Sequence, residues 1–236
     1  MFRRVFGLKG ERMSRKLLSS QESLEVAADK LLEVSKSLEQ LSESEVERKR
    51  CIGRVMTYIL KHLTSQFVKR VKRLRVVIMD TRKTVPGLRI LDKYAVRIGG
   101  GVNHRFGLYD AVLLKENHIA VLGSIKKAIS LARRKAPPTM EIEVEAKNLA
   151  EVKEAIDAHA NTILLDNMNI RMLTKAVSLV AHANKKIGVR QAFIKTEASG
   201  GVTLDNVRDI AKTGVDAISI GSLTHSAPAL DISLEI

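Results

Sequence analysis

From residue 74 onward the chain alternates short aliphatic or β-branched runs with longer stretches whose apolar residues recur every three or four positions. The short runs are RVVIMD (75–80), AVLLK (111–115), EIEVE (141–145), TILLD (162–166), AFIKTE (192–197) and AISIG (217–221). Each predicts a strand of ordinary length. Between them, IAVLGSIKKAISLARRK, NLAEVKEAIDAHA, MLTKAVSLVAHANKK and LDNVRDIAKTG carry the helical period. Strands and helices alternating at this pace imply βαβ units and a parallel sheet of about six strands. The runs close on Asp80, Lys115, Glu145, Asp166, Glu197 and Gly221. Functional-looking residues at every carboxyl end favour an α/β barrel, since an open doubly wound sheet uses mainly the ends beside its switch point.

Upstream the pattern differs. Leu24, Ala27, Leu31, Val34, Leu38 and Leu41 alternate spacings of three and four, which predicts one helix over 20–46, with Ser19 and Glu22 as its capping box. An apolar seam of this kind serves association with a neighbour or a second copy, so a homo-oligomer, dimer or higher, is expected. Residues 47–75 are basic and helix-permissive, with RKR at 48–50 and KRVKRLR at 69–75, as a solvated charged face would be. The chain is therefore read as a helical, basic segment over 1–73 followed by a barrel domain over 74–236.

Composition narrows the function. With 236 residues, 45% of them hydrophobic, the chain is long enough for one sizeable core and a smaller appendage. A formal charge of +14 suits nucleic acid, an acidic membrane surface or a small polyanionic substrate. Only 3% of residues are aromatic and Trp is absent, so the stacking platforms of single-strand binders are poorly supplied and nucleic acid is disfavoured. No apolar run approaches the roughly 18 residues that a bilayer span needs, and no secretory apolar region follows MFRRVFGLKGER, so a cytoplasmic protein is expected. The single Cys51 excludes an intramolecular disulfide and a Cys-based zinc site, and is expected to be an inert thiol.

The candidate chemistry lies in the loops that follow the strands. DTRKTVPGLR sets Arg82 and Lys83 directly after the first strand, a guanidinium fork beside a compact ammonium, suited to carboxylate and phosphate oxygens. Gly99 to Gly101 permit a sharp turn or a close approach to a ligand, and His104 and Arg105 follow at once. With Lys115 these make five potential cations converging on one barrel mouth, an arrangement that calls for an anion. Glu145 and Asp166 stand against them and suit Mg²⁺ shared with a substrate's phosphates. Ser199-Gly200-Gly201 and Gly221-Ser222, followed by His225, are small-residue turns of the kind that bind phosphate after the last two strands of barrels.

DTRKTVPGLR, KYAVRIGGGVNHRFGLYDAVLLKENHI, EIEVEAKN, ILLDN, EASGGVTLDN and ISIGSLTHSAPALDISL, in this order between about Val76 and Ile236, resemble quinolinate phosphoribosyltransferase. The resemblance implies an incomplete, six-stranded α/β barrel that joins quinolinate to 5-phosphoribosyl-1-pyrophosphate, releasing pyrophosphate and CO₂ and giving nicotinate mononucleotide for NAD synthesis. It also implies that Arg82, His104, Arg105 and Lys115 receive the quinolinate carboxylates and that Lys83 meets substrate and donor. Glu145 and Asp166 would meet the ribose hydroxyls and Mg²⁺, with Lys83, Glu145 and Asp166 as the catalytic set. Ser199, Gly200, Gly201 and Gly221 would hold the 5-phosphate, with His225 close by. The departure is upstream, where the family's N-terminal domain of roughly a hundred residues is largely missing and Glu47-Arg48 stands near the family's Glu-Arg pair, so that Arg48 is a candidate substrate contact. Other readings stay open: a related transferase of the molybdenum-transport-associated type, a non-catalytic remnant or binding module, and nucleic-acid binding through residues 48–75.

Overall fold

The computed structural model describes residues 43–186 and 193–226, with side chains for 57–185 and 193–226. All but the end of the expected 20–46 helix lies outside these residues, and Arg48 and Cys51 fall where the backbone alone is described. The chain divides into two units, Met1–Tyr58 and Ile59–Ile236. What is described of the first is helix, the opening of α1 (Glu43–Arg70), so the basic stretch is helical as far as Arg70. No described helix is long and apolar enough to cross a membrane.

The second unit continues α1 and then runs β1 (Val77–Met79), α2 (Arg89–Ile98), β2 (Val112–Leu114), α3 (Glu116–Leu122), α4 (Ile125–Lys135), β3 (Ile142–Ala146), α5 (Leu149–Asp157), β4 (Thr162–Asp166), α6 (Ile170–Lys186), β5 (Lys195–Ser199), α7 (Val207–Lys212), β6 (Ala217–Ser219) and α8 (Ser222–His225). The sheet order is β1-β6-β5-β4-β3-β2 and every pairing is parallel. Strands β2 to β6 lie in chain order and β1 pairs with the last of them, as in a barrel, without the order reversal of a doubly wound sheet. Among the described residues no ladder joins β1 to β2, so the six-stranded barrel is open there.

Side chains alternate along a strand, so residues two apart share a face. Glu143 and Glu145 of β3, Leu164 and Asp166 of β4, Glu197 and Ser199 of β5, and Ser219 of β6 form one face, set by the register Glu145, Leu164, Glu197, Ala217 across four strands. The opposite face presents Ile142, Val144, Ile163, Leu165, Ala198 and Ile218, which are buried with Ile129 of α4, Val152 of α5, Leu173 and Val180 of α6 and Ile210 of α7. Each aliphatic side chain buried there contributes about 1.5 to 3 kcal/mol. One face makes the core and the other is left for chemistry.

Three local differences from the sequence expectation have physical causes. The fifth strand is Lys195–Ser199, displaced toward the carboxyl end from AFIKTE. Phe193 is exposed, and the Ile194 backbone is held by the Asn184 side chain, whose Oδ1 accepts from its amide at 3.0 Å and whose Nδ2 donates to its carbonyl at 2.9 Å. Glu197 is therefore a mid-strand residue, not a strand end. The single helical stretch over 119–135 is two helices, broken where Gly123 takes φ +82° and Ser124 accepts from the Lys127 amide to cap α4. Helix α2 carries Asp92 and Lys93 buried, which hides its apolar face from a hydropathy pattern.

Candidate active site

Helix α2 and the loops around it place the first half of the site. Asp80, directly after β1, is wholly buried; its Oδ1 accepts from Lys93 Nζ at 2.6 Å and from the His104 amide at 2.8 Å, and its Oδ2 accepts from Asn103 Nδ2 at 2.6 Å. Lys93 also donates to the His104 carbonyl at 2.9 Å. The backbone of His104 is thus clamped on both sides by one buried ion pair. Burial is the larger influence on both partners, pushing the Asp80 carboxyl up and the Lys93 ammonium down against their mutual attraction. The pair consequently fixes geometry more than it adds stability.

The glycines ahead of His104 serve packing. A Cβ on Gly99 would lie 2.5 Å from Thr64 Cβ and 2.7 Å from the Lys61 carbonyl of α1, so the run lets the chain pass close to that helix. Of the two roles open to Gly99–Gly101, the turn against α1 is the one observed. Arg89, at the start of α2, donates to the Thr84 hydroxyl at 3.1 Å and to the carbonyls of Phe106 at 3.2 Å and Arg82 at 3.3 Å. It ties the loop bearing Arg82 to the loop bearing Arg105.

A cavity of about 350 Å³ opens at the carboxyl ends of the strands, lined by Thr81, Arg82, Lys83, His104, Arg105, Leu113, Lys115, Glu145, Leu164, Asp166, Glu197, Ser199 and Ser219. Eight of the residues expected at the mouth are brought together in it: Arg82, Lys83, His104, Arg105, Lys115, Glu145, Asp166 and Ser199. Gly200, Gly201, Gly221 and His225 are not among the lining residues; the first two follow β5, and Gly221 and His225 stand at the start and end of α8 after β6. Gly200 has φ +97°, a backbone conformation that side chains rarely adopt, and a Cβ there would also crowd the Asn167 side-chain amide. His225 lies across Gly221, its Nε2 2.5 Å from where a Cβ would stand.

The charges at the mouth are incompletely matched. Arg105 Nη1 donates to the Ala111 carbonyl at 2.9 Å, while Arg105 Nε and Arg82 Nε are buried without a hydrogen-bond acceptor. Burial and then the neighbouring Arg82 charge press the Arg105 guanidinium below its ordinary pKa, so the two cations are crowded together. Buried donors of this kind call for an acceptor of opposite charge. On the far side Lys115 Nζ meets Glu145 Oε1 at 2.9 Å, and the Glu116 amide donates to Glu145 Oε2 at 3.3 Å. Asp166 closes β4, with the Asn167 side chain donating to its Oδ2 at 3.1 Å.

Beneath the mouth lies a cluster that the sequence reading did not assign. His104 Nε2 stands 2.9 Å from Glu143 Oε2 and 3.7 Å from Glu197 Oε2, all three side chains nearly excluded from water. Burial alone would lower the His104 pKa, but the hydrogen bond to Glu143 and the charges of Glu143 and Glu197 outweigh it and raise it. Glu197 is pushed up to about 7 by burial and by the Glu143 charge, against the pull of His104 and of Ser219. The signal was present in EIEVE: glutamates at 143 and 145 are two apart and must share the inner face.

The chain matches the family model described as quinolinate phosphoribosyl transferase, C-terminal domain, over residues 61–235. It is 47% identical over 174 residues to a probable carboxylating nicotinate-nucleotide pyrophosphorylase of Synechocystis, covering 74% of this chain and 57% of that protein. It is 45% identical over 170 residues to a decarboxylating quinolinate phosphoribosyltransferase of Nicotiana glauca, covering 67% of this chain and 48% of the other. The crystal structure of NadC from Streptococcus pyogenes superposes with a TM-score of 0.71 at 39% identity, covering 80% of this chain and 63% of that one. The chain thus spans 48% to 63% of the length of these proteins.

Proposed function

Since this chain belongs to the quinolinate phosphoribosyl transferase family through its C-terminal domain, we propose that its barrel mouth transfers a phosphoribosyl group from 5-phosphoribosyl-1-pyrophosphate to quinolinate, with loss of pyrophosphate and CO₂. The product is nicotinate mononucleotide, an NAD precursor. The observation that carries this reading is the pair of buried, unpartnered guanidinium nitrogens of Arg82 and Arg105 beside Lys83, Lys115 and His104 in one cavity. A small dicarboxylate supplies the acceptors these donors lack, and a planar guanidinium meets a carboxylate through paired hydrogen bonds.

In the mechanism, Arg82, Arg105 and Lys115 hold the ring acid so that its nitrogen faces the ribose carbon. Lys83 stands where it meets both the acid and the leaving pyrophosphate. Glu145 and Asp166 sit on adjacent strands with their carboxylates toward the ribose, stabilising the positive charge that develops at the carbon as the bond to pyrophosphate lengthens. Ser199 and the turns at Gly200, Gly201 and Gly221, with His225 beside them, receive the 5-phosphate. Hard carboxylate oxygens on Glu145 and Asp166 fit Mg²⁺, which when bound neutralises the charge of the pyrophosphate. Decarboxylation follows: the bond between the ring carbon and the carboxylate beside the newly cationic nitrogen breaks, and CO₂ leaves. The electron pair stays on that carbon, where the adjacent positive charge stabilises it, and a proton from water replaces the carboxylate.

The same reading makes the protein a cytoplasmic homo-oligomer, dimer or higher, consistent with the polar metabolites it would use. Arg48 is proposed as a further substrate contact on the resemblance alone. The test is formation of nicotinate mononucleotide from quinolinate, 5-phosphoribosyl-1-pyrophosphate and Mg²⁺ by the purified chain, with Lys83→Ala as control. Product that disappears in the control supports the reading; folded protein that gives no product overturns it for this chain on its own and leaves a binding module.

A further inference from the structure

The cluster beneath the mouth assigns a role that the transfer reaction does not by itself require. Both ring nitrogens of His104 are already engaged within the protein. Nδ1 accepts from the Arg105 backbone amide at 2.8 Å, and Nε2 lies 2.9 Å from Glu143 Oε2. An amide donates only to a nitrogen that carries a lone pair, so this geometry needs the proton on Nε2 and none on Nδ1. The other neutral tautomer would set N–H against N–H at Arg105 and leave the Glu143 carboxylate facing a bare nitrogen.

We infer that Glu143 is a positioning residue: it takes the Nε2 hydrogen bond of His104, which leaves Nδ1 free to hold the Arg105 amide and so sets where the Arg105 guanidinium stands in the cavity. The backbone on either side of the ring is already held. The His104 amide is held by Asp80 and its carbonyl by Lys93, and Arg105 Nη1 is held by the Ala111 carbonyl. What remains is the state of the ring, and the groups facing it are Glu143 on β3, Glu197 on β5 and Lys93 on α2. At 3.7 Å, Glu197 is too distant to take the hydrogen bond that Glu143 makes. A cationic ring would keep Glu143 but lose the Arg105 amide; the two carboxylates raise the pKa of the ring, so the neutral form that satisfies both contacts is the one populated above that raised pKa. The chain Glu143, His104, Arg105 then ends on a guanidinium that lines the cavity and whose Nε is buried without an acceptor among the described residues. Histidines that serve as anchors elsewhere are fixed in the same way, one nitrogen setting what the other can do.

The spectroscopic half of the test needs no activity. In the protein labelled with ¹⁵N-histidine, with His104 assigned by loss of its signals in His104→Asn, a titration carried to alkaline pH is expected to show the neutral ring with a protonated Nε2 and a pyridine-like Nδ1. A neutral ring with its proton on Nδ1, or a ring that stays doubly protonated at alkaline pH, overturns the inference. The kinetic half rests on the quinolinate reading. Glu143→Leu is expected to raise the KM for quinolinate about tenfold, the effect of one buried hydrogen bond, with kcat little changed. Glu143→Gln retains an acceptor for Nε2 and is expected to recover most of that loss. Equal losses in the two variants, or a loss confined to kcat, overturn the inference. If Glu143→Leu does not fold, the wild-type spectrum and Glu143→Gln decide. Wild-type protein inactive on quinolinate would sink the functional reading while leaving the ring spectrum to judge this one.

Discussion

Charged side chains stand at two depths in this barrel and are handled differently at each. At the floor, Asp80, Lys93, Glu143, Glu197 and the His104 ring are close to fully buried and bonded mainly to one another. At the mouth, Arg82, Lys83, Arg105, Lys115, Glu145 and Asp166 face a cavity, and two of the guanidinium nitrogens have no acceptor among the described residues. Charges at the floor hold positions, because a buried ion without its partner is costly. Charges at the mouth wait for a ligand, and their mutual repulsion is tolerated because the rigid floor prevents their turning away.

That contrast is sharpest at the floor. Asp80→Ala removes the acceptor of three donors and strands Lys93 in the interior, and is expected to lower stability by about 3 to 5 kcal/mol in denaturant unfolding. A loss under about 1 kcal/mol would mean the floor is not load-sharing in this way. At the mouth the balance reverses: Asp166→Asn is expected to lower kcat by about two to three orders of magnitude, as loss of an electrostatic contact to a transition state does, while the unfolding midpoint stays nearly constant. Turnover that survives the change would break the proposed division of roles.

A third prediction concerns Asp92, a floor-level residue without a counterion. Burial pushes its carboxyl up from 3.8 to about 6, with only the Val85 amide opposing. Its folded form therefore holds its proton longer than the unfolded chain, and its contribution to stability falls as pH rises from about 4 to about 6. Asp92→Asn should flatten that fall and leave the protein about 1 to 2 kcal/mol more stable than wild type at pH 8, measured by thermal melts across the range. The smallest effect is expected far from both depths: breaking the exposed Lys195–Glu141 bridge by Glu141→Gln should change stability by less than about 0.5 kcal/mol.

Much of this was legible along the chain. The runs ending on Asp80, Lys115, Glu145 and Asp166 mark true strands, and β4 occupies the predicted span, because a strand buried against helices must be apolar on the face that packs. Helix α2 was not legible, since its buried residues include Asp92 and Lys93, whose burial depends on partners seven and thirteen positions away, respectively. Lys195–Ser199 was displaced from its apolar run for a related reason: the cap that ends the ladder is an asparagine side chain on another helix.

The sequence by itself determined the alternation of strands and helices, the family, and which residues stand on the loops after the strands, because those follow from local periodicity and motif. Only the tertiary structure decided that Glu143 and Glu197 lie against His104, that Arg89 joins two loops of the mouth, and that the triple glycine packs on α1. The first depends on the sheet bringing β3 and β5 against the loop that follows α2, and the other two on how that loop and α1 pack, so all three join positions that no single run contains. No pattern read along a single stretch of chain carries that information.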